Sequence, residues 1–235
     1  MKQTKQTIAV VTGANRGIGF AIASQLARAG MRVIGTSRNA EKGYEASQKL
    51  QGQGDIRFEA LTVNDEHSVR MFAGRVLGEY GRVDVLINNA GVLNDRDFDT
   101  LSISSNLMRE VFDINTLGPL MMAQAFMPGM LERNYGRIVN VSSRAGQVKE
   151  QTGNWPAYKI SKLALNALTL QLAALARGKD VLVNSMCPGW VQTDLGGSEA
   201  PLTPDQGADT AVWLAQLPSG SKTGGFFAER QEIQW

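Results

Sequence analysis

The chain of 235 residues carries 24 Lys plus Arg against 22 Asp plus Glu, a formal net charge of +2. This near balance, with the basic residues scattered, excludes the basic face of a nucleic-acid-binding protein, and nothing divides residues 1–235 into more than one sizeable domain. The single cysteine, Cys187, excludes an internal disulfide and a cysteine-held metal, and it suits a reducing, cytoplasmic setting.

Residues 1–7 lack the apolar core and cleavage pattern of a secretory signal, so export is not expected. An apolar strand at 8–11 then runs into residues 12–19, Thr-Gly-Ala-Asn-Arg-Gly-Ile-Gly, which open a helical pattern at 18–29. Glycines at 13, 17 and 19 let the chain turn sharply, let backbone N–H groups approach a phosphate, and aim the positive helix end at it. The alternative is a tight turn without a ligand, and the spacing is GxxxGxG in place of the better-known GxGxxG. The position between strand and helix favours a dinucleotide cradle.

The second strand, 32–36, leads into Ser37 and Arg38, where a dinucleotide fold meets the adenosine ribose. A carboxylate there would select NAD. Neutral Ser37 and cationic Arg38, with Arg16 inside the glycine loop, favour the 2′-phosphate of NADP through charge-assisted hydrogen bonds. The competing reading is two solvated surface arginines.

Further along, a helix at 44–51, a strand at 56–61, a helix at 66–80 and a strand at 83–87 precede Asn88-Asn89-Ala90-Gly91. The lone His67, at the polar start of a helix, reads as exposed. A long helix at 105–133 contains Asn115. Its apolar stretch, 117–131, is interrupted by Gly118, Pro119, Gln124, Pro128 and Gly129, which argues against a membrane span. Met121, Met122, Met127 and Met130 read as core or subunit-interface packing. A strand at 137–141 ends in Ser142-Ser143, and Gly146 follows.

The helix at 157–177 places Tyr158 and Lys162 on one face. A phenol titrates near pH ~10, and a neighbouring ammonium brings it towards the range of efficient proton transfer. By itself the pair is also compatible with two unremarkable surface residues. A strand at 181–186, the segment Cys187-Pro-Gly-Trp-Val-Gln-Thr193, a helix at 205–217 and a short strand at 225–227 complete the pattern. Strands alternating with crossover helices predict an α/β fold, one doubly wound parallel sheet of Rossmann type with helices on both faces and the ligand at the carboxyl ends of the strands. Residues 195–204 are expected to form a mobile loop over the substrate, and Trp155, Trp190 and Phe226 are candidates for an apolar pocket wall. Cys187 reads as a buried strand-end residue rather than a reactive thiol.

Taken together, the glycine loop, Asn88-Asn89-Ala90-Gly91, Asn115, the serine pair, Tyr158-x-x-x-Lys162 and Pro188-Gly189 followed by Thr193 resemble the short-chain dehydrogenase/reductase family from the first strand almost to the last. Within it the chain looks most like the carbonyl reductases, on the pieces Thr36-Ser-Arg38, Cys187-Pro-Gly-Trp-Val-Gln-Thr-Asp194 and Gly224-Gly-Phe-Phe with Trp235. The resemblance implies a catalytic set of Ser143, Tyr158, Lys162 and Asn115. Tyr158 would be the proton donor, Ser143 would polarise a carbonyl, Lys162 would lower the phenol pKa and bind the nicotinamide ribose, and Asn115 would hold a relay water. The same resemblance implies NADPH as cofactor, held by Gly13, Asn15, Arg16, Gly17, Ile18, Gly19, Ser37, Arg38, Thr62, Val63, Asn89, Ala90, Gly91, Pro188, Gly189, Val191 and Thr193, together with Tyr158 and Lys162.

Where many relatives carry an acidic residue against the adenine, this chain offers Thr62. The expected substrate is a small carbonyl compound or alcohol, with no metal, nucleic acid or membrane involved. The short segment 147–156 leaves the helix faces used by oligomeric relatives open to a homodimer or homotetramer. Two other readings compete: a dehydratase or epimerase that keeps its nucleotide bound, and a non-catalytic NADPH sensor.

Overall fold

The structure is a computed structural model and describes residues 6–235; the first five residues of the segment screened for a signal lie outside the described part. Eight strands form one sheet in the order β3-β2-β1-β4-β5-β6-β7-β8. They are β1 (Ile8–Val11), β2 (Arg32–Ser37), β3 (Asp55–Ala60), β4 (Val85–Asn88), β5 (Gly136–Val141), β6 (Val181–Met186), β7 (Phe226–Ala228) and β8 (Gln231–Ile233). The first seven run parallel, and β8, which shows no run of β-formers in the sequence, adds antiparallel to β7.

Period-two alternation explains the layering. In β1, Ala9 and Val11 face a core shared with α1 (Gly17–Arg28) and α7 (Pro204–Ala215). Ile8 and Val10 face the opposite core, against α3 (Glu66–Tyr80), α5 (Gly118–Arg133) and α6 (Pro156–Leu175). Both faces of the central strands are therefore covered, which is why apolar residues fall on both faces of β1 and dominate β4 to β6.

Two helices depart from expectation. The helix α2 (Ala40–Lys49) starts four residues earlier than the apolar period suggests, because Asn39 accepts a hydrogen bond from the Lys42 N–H at 3.0 Å and caps it. The long helix is divided into α4 (Ser105–Phe112) and α5 by a π-helical turn at Asp113–Leu117, with Asn115 at its centre. His67 is exposed at the start of α3.

Candidate active site

A cleft of about 410 Å³ opens at the carboxyl ends of β1 and β4, where the strand order reverses direction. One wall is the turn from β1 to α1, contributed by Gly13, Asn15, Arg16, Gly17, Ile18 and Gly19. Gly13 and Gly17 take φ of 62° and 58°, which a side chain disfavours. A Cβ on Gly13 would also lie 3.0 Å from Ala90 Cα, so the loop is packed tightly against the opposite wall. No side chain caps the start of α1, and no acidic residue lies in its first turn. The helix end stays available to an anion.

Asn89 holds this loop in place. Its Nδ2 donates to the carbonyls of Thr12 and Gly13 at 2.8 and 3.1 Å, while the Asn89 and Ala90 N–H groups donate to Thr12 Oγ1 at 2.9 and 3.0 Å. Thr12 thus ties β1 to β4, a role that its place at the edge of the glycine motif did not disclose. Under the site, the buried side chains Asn88, Asn140, Thr169 and Ser185 form a hydrogen-bonded chain across β4, β5, α6 and β6.

At the outer end, Arg38 lines the cleft and is exposed, beside Thr62, Val63 and Asn64. Asn64 is a polar group that sequence reasoning missed. Ser37 does not reach the cleft: it is buried, and its Oγ accepts from the Asn39 N–H at 3.3 Å. Arg16 forms an ion pair with Asp194 across the mouth, so its guanidinium is shared between the loop and the 194–204 segment.

The other end brings Ser143, Tyr158 and Lys162 together. Tyr158 is buried, and Ser143, the second serine of the pair, stands near its phenol and accepts from the Ala145 N–H at 3.1 Å; Ser142, which lines the cleft where Ser143 does not, donates its Oγ–H to the Lys162 carbonyl at 3.3 Å. Gly146 permits this arrangement, since a Cβ there would lie 2.7 Å from the Lys162 backbone carbon. Lys162 donates to the Val141 carbonyl at 2.8 Å, and its Nζ stands 5.8 Å from the centre of the Tyr158 ring. Burial pushes the phenol up to about 12 and brings the amine down to about 8. The phenol is therefore raised, not lowered as expected: its own burial dominates, and the groups that oppose it are Ser143 and Arg96 rather than Lys162.

Asn115 is fully buried behind Val92, and it binds its neighbours more fully than the relay role suggested. Its Oδ1 accepts from the Val92 N–H at 2.9 Å, and its Nδ2 donates to the Val92 carbonyl and Ser161 Oγ at 2.9 and 3.0 Å. Both amide protons are used. A Cβ on Gly91 would lie 3.3 Å from Asn115 Oδ1 and 3.4 Å from Lys162 Nζ, so these two polar atoms flank one point of the wall.

The segment after β6 supplies Pro188, Gln192, Thr193, Asp194 and Leu195 to the cleft. Gly189 and Val191 stand behind it: Gly189, with φ 81°, packs on Leu202, and buried Val191 packs on Gly207. Residues 195–204 fold back through Gln192 N–H to Leu202 O at 2.8 Å and Trp190 Nε1–H to Gly196 O at 2.7 Å, and Arg96 donates to the Leu195 carbonyl. Phe226 is core, stacked on Trp235 at 5.4 Å, and does not form a pocket wall. Trp190 is 56% exposed, and neither it nor Trp155 lines the cleft. Cys187 is buried and unpaired.

The glycine wall, the open helix end and the cationic rim fit a phosphorylated dinucleotide, and the far end of the same cleft presents the Tyr158 phenol and the Lys162 amine beside Ser142. Among the described residues no helix is long and apolar enough to cross a membrane, and no group of three metal-binding side chains occurs. The profile of the family described as short chain dehydrogenase matches residues 7–201. The (+)-neomenthol dehydrogenase of Arabidopsis thaliana is 31% identical over 295 residues, spanning 99% of this chain and 99% of that protein. Carbonyl reductase (NADPH) 1 of Bos taurus is 33% identical over 276 residues, spanning 97% of this chain and 98% of that protein. The solved NADPH-bound carbonyl reductase from chicken fatty liver is similar with a TM-score of 0.86 and 28% identity, over 98% of this chain and 99% of that one.

Proposed function

The chain belongs to the short-chain dehydrogenase/reductase family, and from that premise we propose that it is an NADPH-dependent oxidoreductase that reduces a ketone or aldehyde to its alcohol. The observation that carries this reading is the single cleft joining an anion-binding helix end to Tyr158 and Lys162, with Ser143 near the phenol. When bound, the dinucleotide supplies the hydride.

Gly13, Asn15, Gly17, Ile18 and Gly19 hold the pyrophosphate at the start of α1. Arg38, with Arg16 released from Asp194, takes the 2′-phosphate. Thr62, Val63 and Asn64 border the adenine, and Asn89, Ala90 and Gly91 form the floor. Pro188 and Thr193, braced by Gly189 and Val191, orient the nicotinamide end, and residues 195–204 cover the substrate.

As negative charge develops on the substrate oxygen, Ser143 and Tyr158 stabilise it, and the phenol proton completes the alcohol. A phenol held near 12 is protonated at neutral pH, which suits a donor in the direction of reduction. Lys162 returns a proton to the phenolate and would be reprotonated from solvent through a water that donates to Asn115 Oδ1, which faces the same point beside Gly91. The proposed setting is cytoplasmic. A homodimer or homotetramer would cover exposed Leu117, Ile160 and Leu170.

The test is oxidation of NADPH, compared with NADH, by purified protein over a panel of ketones and aldehydes. NADPH is expected to be preferred, and Tyr158→Phe is expected to lose turnover by at least about 10²-fold while keeping NADPH affinity. Tight NADPH binding without oxidation by any carbonyl would overturn the reading in favour of a sensor.

A further inference from the structure

The first turn of α6, which carries Tyr158, depends on one carboxylate from elsewhere in the chain. Pro156 has no N–H, and Trp155, in the left-handed region at φ 51°, offers no side-chain cap. The Lys159 N–H already donates to the Trp155 carbonyl at 3.0 Å. The donors left over are Ala157 and Tyr158, and both reach Asp95 Oδ2, at 2.7 and 3.2 Å. Asp95 lies 62 residues before Ala157, in the loop that follows β4 and contributes Gly91 and Val92 to the cleft. The Trp155 N–H to Phe98 carbonyl bond, at 3.3 Å, joins the same two segments.

Asp95 is fully buried, and its second oxygen, Oδ1, has no hydrogen-bond partner. For capping alone, a neutral Asn or Ser would serve at a smaller desolvation cost. A buried, half-satisfied carboxylate next to the proposed proton donor therefore asks for a second role.

We propose that Asp95 is the positioning residue of Tyr158, fixing the first turn of α6 against the loop that walls the cleft. This rests on Tyr158 being the proton donor. Its charge has a second effect. The groups facing the phenol are Ser143 after β5, Cys187 after β6, Asp95 and Arg96 after β4, and Lys162 one turn along α6. Of these, Asp95 and Cys187 favour the protonated phenol, while Ser143 and Arg96 oppose it.

Two variants separate the roles. Asp95→Asn keeps an oxygen able to accept both N–H groups but removes the charge; Asp95→Ala removes both. Three properties are measured in each: the NADPH dissociation constant, kcat and KM for a carbonyl substrate, and the Tyr158 phenolate titration, taken as the absorbance difference from the same protein carrying Tyr158→Phe. In Asp95→Asn the phenolate midpoint and the alkaline limb of kcat move to lower pH, with NADPH affinity retained. In Asp95→Ala kcat falls on the order of 10²-fold, with KM and NADPH affinity little changed.

An unchanged phenolate midpoint in Asp95→Asn overturns the charge role. An unchanged kcat in Asp95→Ala, or a loss of NADPH affinity that matches the loss of kcat, overturns the positioning role. If Asp95→Ala does not fold, Asp95→Glu, which keeps the charge but sets the carboxylate one methylene away from its place under Ala157 and Tyr158, decides positioning: kcat at least about tenfold below the wild type with NADPH affinity retained is expected, and an unchanged kcat overturns it. If the wild type turns over no carbonyl, the proposed activity fails, while the titration still tests Asp95.

Discussion

Lys162 places a buried ammonium beside the phenol, and its effect on stability has a definite sign. Its value in the fold, about 8, lies below its ordinary 10.5, so the unfolded chain binds the proton more tightly. The penalty is complete below pH 8 and disappears as pH rises to 10.5. Tyr158 acts oppositely but only above its ordinary 10.0, where stability falls as pH climbs towards about 12. Urea unfolding between pH 7 and 10 is therefore expected to show wild-type stability rising relative to Lys162→Met, by on the order of 3 kcal/mol over the whole Lys162 window. At the other end of the cleft, Arg38→Ala should reduce the NADPH to NADH ratio of kcat/KM by about 10- to 100-fold, the worth of one charge-assisted phosphate contact. Tyr158, Lys162 and Ser143 could be singled out as candidates because helical spacing and a short serine-glycine pattern are local. Asp95 was not, since a cap drawn from 62 residues away leaves no mark near the helix it serves. The direction of the phenol shift was also beyond the sequence, because burial decides it.

Among the elements, the π turn at Asp113–Leu117 acts on the site through Asn115. Its extra residue turns Asn115 inward, where three hydrogen bonds join Val92 to Ser161. Asn115→Leu is expected to leave the Val92 N–H and carbonyl unpaired, costing about 1–3 kcal/mol for each group, and to lower kcat together with the chemical-denaturation midpoint. Apolar positions recur at helical spacing on both sides of Asn115, so the sequence suggested one helix from 105 to 133; a π turn changes the phase without changing composition. The early start of α2 was hidden for a related reason: 40–43 contain no apolar repeat, and only the Asn39 cap marks the boundary.

For the whole molecule, strand and helix alternation was enough to predict a parallel sheet covered on both faces, since the central strands are dominated by apolar β-branched residues, the polar Asn88, Asn140 and Ser185 among them being paired to one another or to Thr169. The edge was less legible. β8 has few β-formers and exists through pairing with β7, while Trp235 stacks on Phe226 and the Gln234 carbonyl accepts from Gln147 at 2.6 Å. Trp235→Ala is expected to lower Tm by about 2–8 °C, reflecting roughly 1–2 kcal/mol of lost stacking and burial. Pairing at the centre of the sheet also sets a schedule for biosynthesis. Ile8 reaches its partner Asp84 across 76 residues, so although one edge of β1 pairs with β2, the other edge must wait for β4 to leave the ribosome. At common elongation rates that delay is roughly 4–15 s, during which the nascent β1 edge stands unpaired. The nucleotide cleft thus has no half-built form: until the second wall has been translated, the newborn chain has an exposed apolar strand for chaperones to shield and no ligand to gather it.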